Sequence, residues 1–400
     1  MRNIPLFKVY MSKNASIESE KVLNSGFIGQ GDVVDKFENN LRNYFNIGYS
    51  TKTNLITLNS GTSALHLALH LLKKPQYNQD IYDGCAYTSS FWSGLQPGDE
   101  ILSSPLTCTA TNFPILANGL DIKWVDIDPK TLNMNLDDLE KKLTSKTKAI
   151  MLVHWGGYPN DLDRLKDIQN RFRLKYGFSP AIIEDCAHSF GSRYKGKLIG
   201  THGNISAFSF QAIKHLTSVD GGMLILPHTD LYKRSKLMRW YGIDRDDKER
   251  KDFRCENDIQ EWGFKFHMND VNAAIGNENL KEVDYVINKH IENGKYYDNE
   301  LKDVNGVTLL ERQTGFDSSY WIYSILVERR DDFHRYMKEN GVACSQVHER
   351  NDKHSTLEKY RRTDLNNLEN TIHKITNIPV GWWVTDEDRQ YIVDLIKKGW

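Results

Sequence analysis

This chain has few means of covalent stapling. Its five cysteines stand at positions 85, 108, 186, 255 and 344. Their number is odd and no two share a CxxC spacing. Both facts argue against a disulfide framework and against a zinc ribbon. A reduced, cytoplasmic protein is the expectation. Long apolar runs are missing too. The longest, such as Ala149–Trp155, stop far short of the ~20 residues of a membrane span. The first residues, "MRNIPLFKVYMSKN", lack the apolar core of roughly 7–15 residues that marks a signal peptide. An excess of either charge is absent: 52 Lys+Arg stand against 53 Asp+Glu. That balance gives no reason to expect nucleic acid or an anionic membrane as a partner. A local pocket for a phosphate stays compatible with it.

What is present reads as a folded globular protein, 39% hydrophobic and 26% charged over 400 residues. At about 100–200 residues per domain, two to three domains are expected. "NLITLN" (54–59), "DEILSSP" (99–105), "DIKWVDID" (121–128), "KAIMLVHW" (148–155) and "AIIEDC" (181–186) read as strands. Between them lie helical patterns at 60–74, at 135–143 with Asn135 as N-cap, and at about 161–176. Such alternation predicts an α/β domain with a mostly parallel sheet. Two further strands, 205–210 and 221–226, follow without a helix between them. Beyond about residue 240 the pattern changes to charged loops (244–258), a helix around 271–290, a strand at 321–327 and a helix at 331–341. The expected division is a large α/β domain over 1–240 and a smaller α+β domain over 241–400.

Three stretches carry candidate chemistry. In "NSGTSAL" (59–65) a strand turns at Ser60-Gly61-Thr62-Ser63 into a helix. Free N–H groups and the helix dipole favour an anion there, although a plain N-cap explains the same residues. In "IIEDCAHS" (182–189) a buried strand ends in Glu184-Asp185, at the carboxyl edge where open α/β sheets bind ligands. Asp185 there can hold a proton on a heterocyclic nitrogen, or simply cap the next element. His188 has no partner at metal-ligand spacing, so no metal site is expected. In "SFQAIKHLTSVDGG" (209–222), Lys214 sits between two apolar strands. A lysine in a partly dry site loses basicity and becomes an amine nucleophile, whereas on a loop it is an ordinary solvated charge. Taken together, an anion cradle, a strand-end aspartate and a lysine are what pyridoxal phosphate needs.

At this point the chain resembles a known family, the DegT/DnrJ/EryC1/StrS sugar aminotransferases of the perosamine/viosamine synthase type. The resemblance runs nearly end to end. It is carried by "GFIGQGDVVDKFE" (26–38), "NSGTSALHLAL" (59–69), "QPGDEI" (96–101), "VHWGGYPNDLDRL" (153–165), "IIEDCAHSFGSRYKGKLIG" (182–200), "FSFQAIKHLTSVDGG" (208–222), "GFKFHMNDVNAAIG" (263–276) and "NIPVGWWVTDED" (377–388). It implies the aspartate-aminotransferase-like fold, known as pyridoxal-phosphate fold type I. It also implies roles. Lys214 is the lysine that forms the imine with the cofactor, and Asp185 is the partner of the pyridine nitrogen. Gly61, Thr62, Ser63 and Ser209 take the phosphate, and His188 lies against the ring or its hydroxyl. The family works as a homodimer with shared sites, in which the loop around Lys265 reaches the other subunit's phosphate.

Three features depart from the family. Cys108 stands where a ring-stacking aromatic is usual, Lys265 where asparagine is common, and 74–92 looks like an insertion at a surface or interface. The reaction implied converts a nucleotide-linked 4-keto-6-deoxyhexose to the 4-amino-4,6-dideoxy sugar. L-Glutamate donates the amine and leaves as 2-oxoglutarate, and the cofactor passes through pyridoxamine phosphate. Amination at C3 of a 3-keto sugar, or a catalytically silent cofactor-binding regulator, are the alternatives. One branch of the family carries histidine at the lysine position and dehydrates instead. Here His215 follows Lys214 directly, so the reaction type depends on which of the two faces the cofactor.

Overall fold

Strands with apolar residues on both faces need cover on both sides, and seven strands, most of them of this kind, form the central sheet. The computed structural model describes residues 2–48, 52–78, 90–246 and 258–400. The strands are β1 (Asn54–Leu58), β2 (Glu100–Ser103), β3 (Asp121–Trp124), β4 (Thr147–Val153), β5 (Ala181–Asp185), β6 (Ile205–Ser209) and β7 (Gly222–Leu226). Their order is β1-β7-β6-β5-β4-β2-β3. From β6 to β3 all neighbours are parallel. Strand β7 runs antiparallel between β1 and β6, because a short connection cannot make a parallel crossover.

Alternation along each strand divides the core in two. Ile56, Met151, Ile183 and Leu224 face one side, with Leu65 and Ile115 from helices α3 and α4. Leu55, Ile150, Ile182 and Ile225 face the other, with Phe37 and Leu165 from α2 and α6. The helices in this part are α1 (Ala15–Ser25), α2 (Asp32–Tyr44), α3 (Gly61–Leu71), α4 (Thr109–Ala117), α5 (Leu136–Lys142), α6 (Leu162–Tyr176) and α7 (Thr229–Met238). The expected cap at Asn135 is present, its side chain accepting from the amides of Asp137 and Asp138. Asp161 caps α6 in the same way through the amide of Arg164.

The single helix expected around 271–290 is instead a pair, α8 (Asp270–Leu280) and α9 (Val283–Glu300). The break falls at Lys281-Glu282, where Glu282 accepts from the hydroxyls of Tyr10 and Ser12. Neither Lys281 nor Glu282 is a helix-breaking residue, which is why the sequence hides the break. Further on, β8 (Val307–Leu309), β9 (Tyr323–Val327) and β10 (Ile375–Ile378) form an antiparallel sheet in the order β8-β9-β10. Helices Arg330–Glu339 and Asp386–Lys398 supply Phe333 and Ile392 to its core. At the expected insertion, Gln76–Asn78 pairs antiparallel with Ser90–Trp92. The rest of it, 79–89, lies outside the described residues. No helix among the described residues is long and apolar enough to cross a membrane.

One glycine decides how closely β7 can approach α3. Gly222 pairs with Leu58 on one side and Ser209 on the other. A Cβ on Gly222 would lie 2.2 Å from the Ser60 carbonyl oxygen and 2.6 Å from the Gly61 amide nitrogen. Both are backbone atoms at the start of α3, so no side chain can swing aside. Gly222→Ala is therefore expected to destabilise the protein by about 2 kcal/mol, the middle of the overpacking range. It should also loosen the α3 N-terminus. Urea unfolding of the cofactor-free protein reads the first effect, and cofactor affinity reads the second.

Candidate active site

Strand β5 delivers the central carboxylate. Its residues alternate between the two faces, so Asp185 shares a face with Ile183 while Glu184 points to the opposite one. Asp185 is buried. Its Oδ2 accepts from the Thr111 hydroxyl of α4 at 2.7 Å, and its Oδ1 from the Ala187 amide at 3.0 Å. Thr111 is bonded in turn to the Thr107 hydroxyl at 2.7 Å. Burial pushes the Asp185 carboxyl up from its ordinary value. The Thr111 and Ala187 hydrogen bonds and the Lys214 charge pull against that push without cancelling it. Behind the sheet, Glu184 is bonded to His154 at 2.8 Å and to Asn204 at 2.8 Å. The Asn160 amide donates to His154 Nδ1, so the imidazole proton sits on Nε2 and is given to Glu184. This pair braces the strand end that carries Asp185.

The turn after β6 brings Lys214 to the same edge. Its amine lies 3.5 Å from the centroid of the Trp321 ring. Burial lowers the Lys214 pKa to about 8, with Asp185 and Cys108 pulling it partly back. An amine so tuned is half neutral near pH 8 and able to accept a proton. Its neighbour His215 points elsewhere. The His215 Nε2 bonds the Ser319 carbonyl at 3.0 Å, and its ring meets His290 edge-on at 4.6 Å.

An aromatic wall closes the site. His188 stacks on Trp321 with centroids 3.9 Å apart and planes at 19°. His348 lies parallel to His188 at 5.5 Å. Burial first, then the Lys214 charge, hold His188 well below the ordinary histidine range and His348 at about 4. His188 Nδ1 and His348 Nε2 are buried without a hydrogen-bond partner among the described residues. Orphaned polar atoms of this kind call for a bound group.

The phosphate cradle also assembles, in part. Helix geometry leaves the first amides of α3 without intrahelical acceptors. Gly61 faces Ser209: a Cβ on it would lie 2.9 Å from Ser209 Cβ. Any larger residue would close the gap between the helix start and the Ser209 hydroxyl. Ser63 is occupied with capping. Its amide donates to Ser60 Oγ at 3.0 Å, and its hydroxyl meets the same oxygen at 2.9 Å. Thr62 is exposed in the single chain.

The structure thus brings Gly61, Ser209, Cys108, Asp185, His188 and Lys214 together. Lys265 stands apart. It is exposed, with its amine 4.8 Å from the Trp240 ring. Its backbone is tied to the strand before α3, because Asn59 Nδ2 donates to the Lys265 carbonyl at 3.3 Å. Thr111, Trp321 and His348 belong to the site and escape sequence reasoning. For Thr111 a signal existed: it lies one helical turn beyond Cys108. For Trp321 and His348 none did: Trp321 opens the strand read at 321–327, and His348 carried no reading beyond its place in the smaller domain.

The residues fit pyridoxal phosphate. An acid stands ready for the ring nitrogen, an amine for the aldehyde, a glycine-cleared helix start for the phosphate, and two unpartnered imidazole nitrogens for polar substituents. Similarity to known proteins agrees. The model of the DegT/DnrJ/EryC1/StrS aminotransferase family matches residues 10–397. The solved structure of AtS13 from Actinomadura melliaura is 44% identical, covers 100% of both chains and superposes with a TM-score of 0.90. The sugar aminotransferase CalS13 from Micromonospora echinospora is 41% identical, with 99% of this chain and 100% of that one covered and a TM-score of 0.88. GDP-perosamine synthase of Escherichia coli O157:H7 is 30% identical over 87% of this chain and 85% of its own. The chain belongs to the DegT/DnrJ/EryC1/StrS aminotransferase family, whose members are pyridoxal-phosphate-dependent enzymes acting on sugars.

Proposed function

We propose that the protein aminates C4 of a nucleotide-linked 4-keto-6-deoxyhexose, with L-glutamate as donor, and works as a homodimer with shared sites. The observation that carries the reaction type is the divergence of Lys214 and His215. The lysine lies on the Asp185 face beside Trp321, while His215 is spent on Ser319 and His290. A lysine base favours amination over dehydration. Likeness to dTDP-4-dehydro-2,3,6-trideoxy-D-glucose 4-aminotransferase of Saccharopolyspora spinosa, 28% identical over 81% of this chain and 78% of its own, supports C4 over C3.

When bound, the cofactor supplies an electron sink for charge developing on the substrate carbon. The chain's own residues do the rest. Asp185 holds the proton on the ring nitrogen. Lys214 would hold the cofactor's aldehyde and, when free, would accept and return a proton at the substrate carbon. Gly61, Thr62 and Ser209 take the phosphate at the α3 N-terminus. His188, Trp321 and His348 exclude water from the amine. Lys265, exposed and held beside Asn59, would take the phosphate of a second subunit's site.

Two measurements test this. The purified protein should be yellow and should lose its visible band on addition of glutamate; a yellow protein indifferent to glutamate overturns the transaminase reading. A panel of nucleotide 4-keto-6-deoxy and 3-keto sugars, offered with glutamate, should yield product aminated at C4 by NMR. Product aminated at C3 overturns the choice of carbon.

A further inference from the structure

Trp321 has three independent restraints. Its Nε1 donates to the carbonyl of Ile213, the residue before the lysine, at 2.9 Å. Phe7 stacks on it at 5.4 Å and His188 at 3.9 Å. It is 2% exposed. A tryptophan fixed this firmly presents its π face at one place, and that place is 3.5 Å from the Lys214 amine. Aromatic faces attract cations through the ring quadrupole, most strongly for tryptophan and most strongly where water is excluded.

We infer that Trp321 is a positioning residue: its ring is the resting place of the Lys214 ammonium whenever that amine is detached from the cofactor. The inference rests on the reading of Lys214 as the amine that leaves and returns. A detached amine needs a docking point within reach of the cofactor carbon, or it samples many rotamers before each proton transfer. It also needs help to stay protonated in a dry site. The groups facing it are Asp185 on β5, Cys108 at the start of α4, His188 after β5, and His348. His215, next in the chain, also feels its charge. Of these, Asp185 is committed to Thr111, Ala187 and the ring nitrogen, and the imidazoles are buried and neutral. The indole face adds attraction for a cation without adding a charge.

The test uses the full-length enzyme converted by glutamate to its amine form, in which Lys214 is free. Acylation of Lys214 by a small amine-reactive reagent is followed against pH by mass spectrometry. The wild-type midpoint should lie near 8. Trp321→Leu, which removes the π face, should lower it by about 0.7 pH unit. That is a roughly 5-fold gain in neutral amine, equal to about 1 kcal/mol at 1.36 kcal/mol per unit. Trp321→Phe loses the same hydrogen bond to Ile213 but keeps a ring, and should fall between the two. Global replacement of the nine tryptophans by fluorotryptophan keeps the shape and weakens the quadrupole, so it serves if the leucine variant does not fold. It should also lower the midpoint. Equal midpoints in wild type and Trp321→Leu, or identical shifts in the leucine and phenylalanine variants, overturn the inference. So does an unmoved midpoint in the fluorinated protein. None of these outcomes touches the proposed function, which fails on the glutamate and sugar-panel measurements above, or if Lys214 itself proves dispensable.

Discussion

Replacing Lys214 by alanine should reduce amination by about 10⁴-fold while leaving the fold intact. A positioned general base contributes up to about that factor, and no other side chain described at the site can replace it. The nearby imidazoles of His188 and His348 are buried neutral groups with depressed pKa values, and so are poor bases for a carbon acid. Single-turnover conversion of the glutamate half-reaction isolates the step. Activity within tenfold of wild type would remove Lys214 from the chemistry. The same residue makes a stability prediction of opposite sign. Burial lowers the Lys214 pKa from 10.5 to about 8 in the folded protein. Between those values the unfolded chain binds more protons, so stability of the cofactor-free protein rises with pH across that window. Below pH 8 the lysine is charged in both states and the full desolvation penalty is present. Lys214→Met should therefore stabilise the cofactor-free protein at pH 7 by about 1–3 kcal/mol. The gain should shrink as pH climbs from 8 toward 10.5. Urea unfolding at pH 7 and pH 9.5 distinguishes the two regimes. A site that destabilises the empty protein is a common trade of stability for function.

Asp185→Asn should lower activity by about 10³-fold, with cofactor still bound. An amide keeps the shape and the Ala187 hydrogen bond but cannot hold a ring proton by charge. Removing a preorganised electrostatic partner in a dry site typically loses 10²–10³-fold. The visible band should shift in its pH dependence, since the ring nitrogen no longer stays protonated. Thr111→Val isolates a smaller piece of the same device. It deletes the 2.7 Å bond to Asp185 Oδ2, worth roughly a tenfold loss, and leaves the carboxylate with a higher pKa. If Asp185→Asn were fully active, the carboxylate would be a structural cap and the ring nitrogen would need another partner.

Much of the site was legible because its pieces lie at strand ends. Gly61 follows β1 and Asp185 ends β5, so strand and turn patterns locate both, whereas Ser209 at the end of β6 came with the family resemblance. The phosphate cradle was legible as a set and only partly as individuals. Ser63 turns out to be engaged with Ser60, because an N-cap uses the same hydroxyls and amides that an anion would. The helix pair α8–α9 was read as one helix, since Lys281-Glu282 carries no glycine or proline signal and contacts with the distant Tyr10 and Ser12 accompany the break.

From the order of residues alone came the α/β architecture, the family resemblance, and the trio of Gly61, Asp185 and Lys214. These are local: strand periodicity, a helix cap and motif spacing are encoded within a few residues of each other. Tertiary structure decided which of two adjacent polar residues serves the site. Alternation requires Glu184 and Asp185 to face opposite ways, and the hydrogen bond from Thr111 of α4 fixes the side that Asp185 takes. Likewise, only the Ser319 carbonyl and His290, more than 70 residues beyond His215, draw the histidine away and leave Lys214 facing Trp321. The burial that lowers the amine's pKa includes cover from distant side chains such as Trp321. No window of sequence around Lys214 contains them.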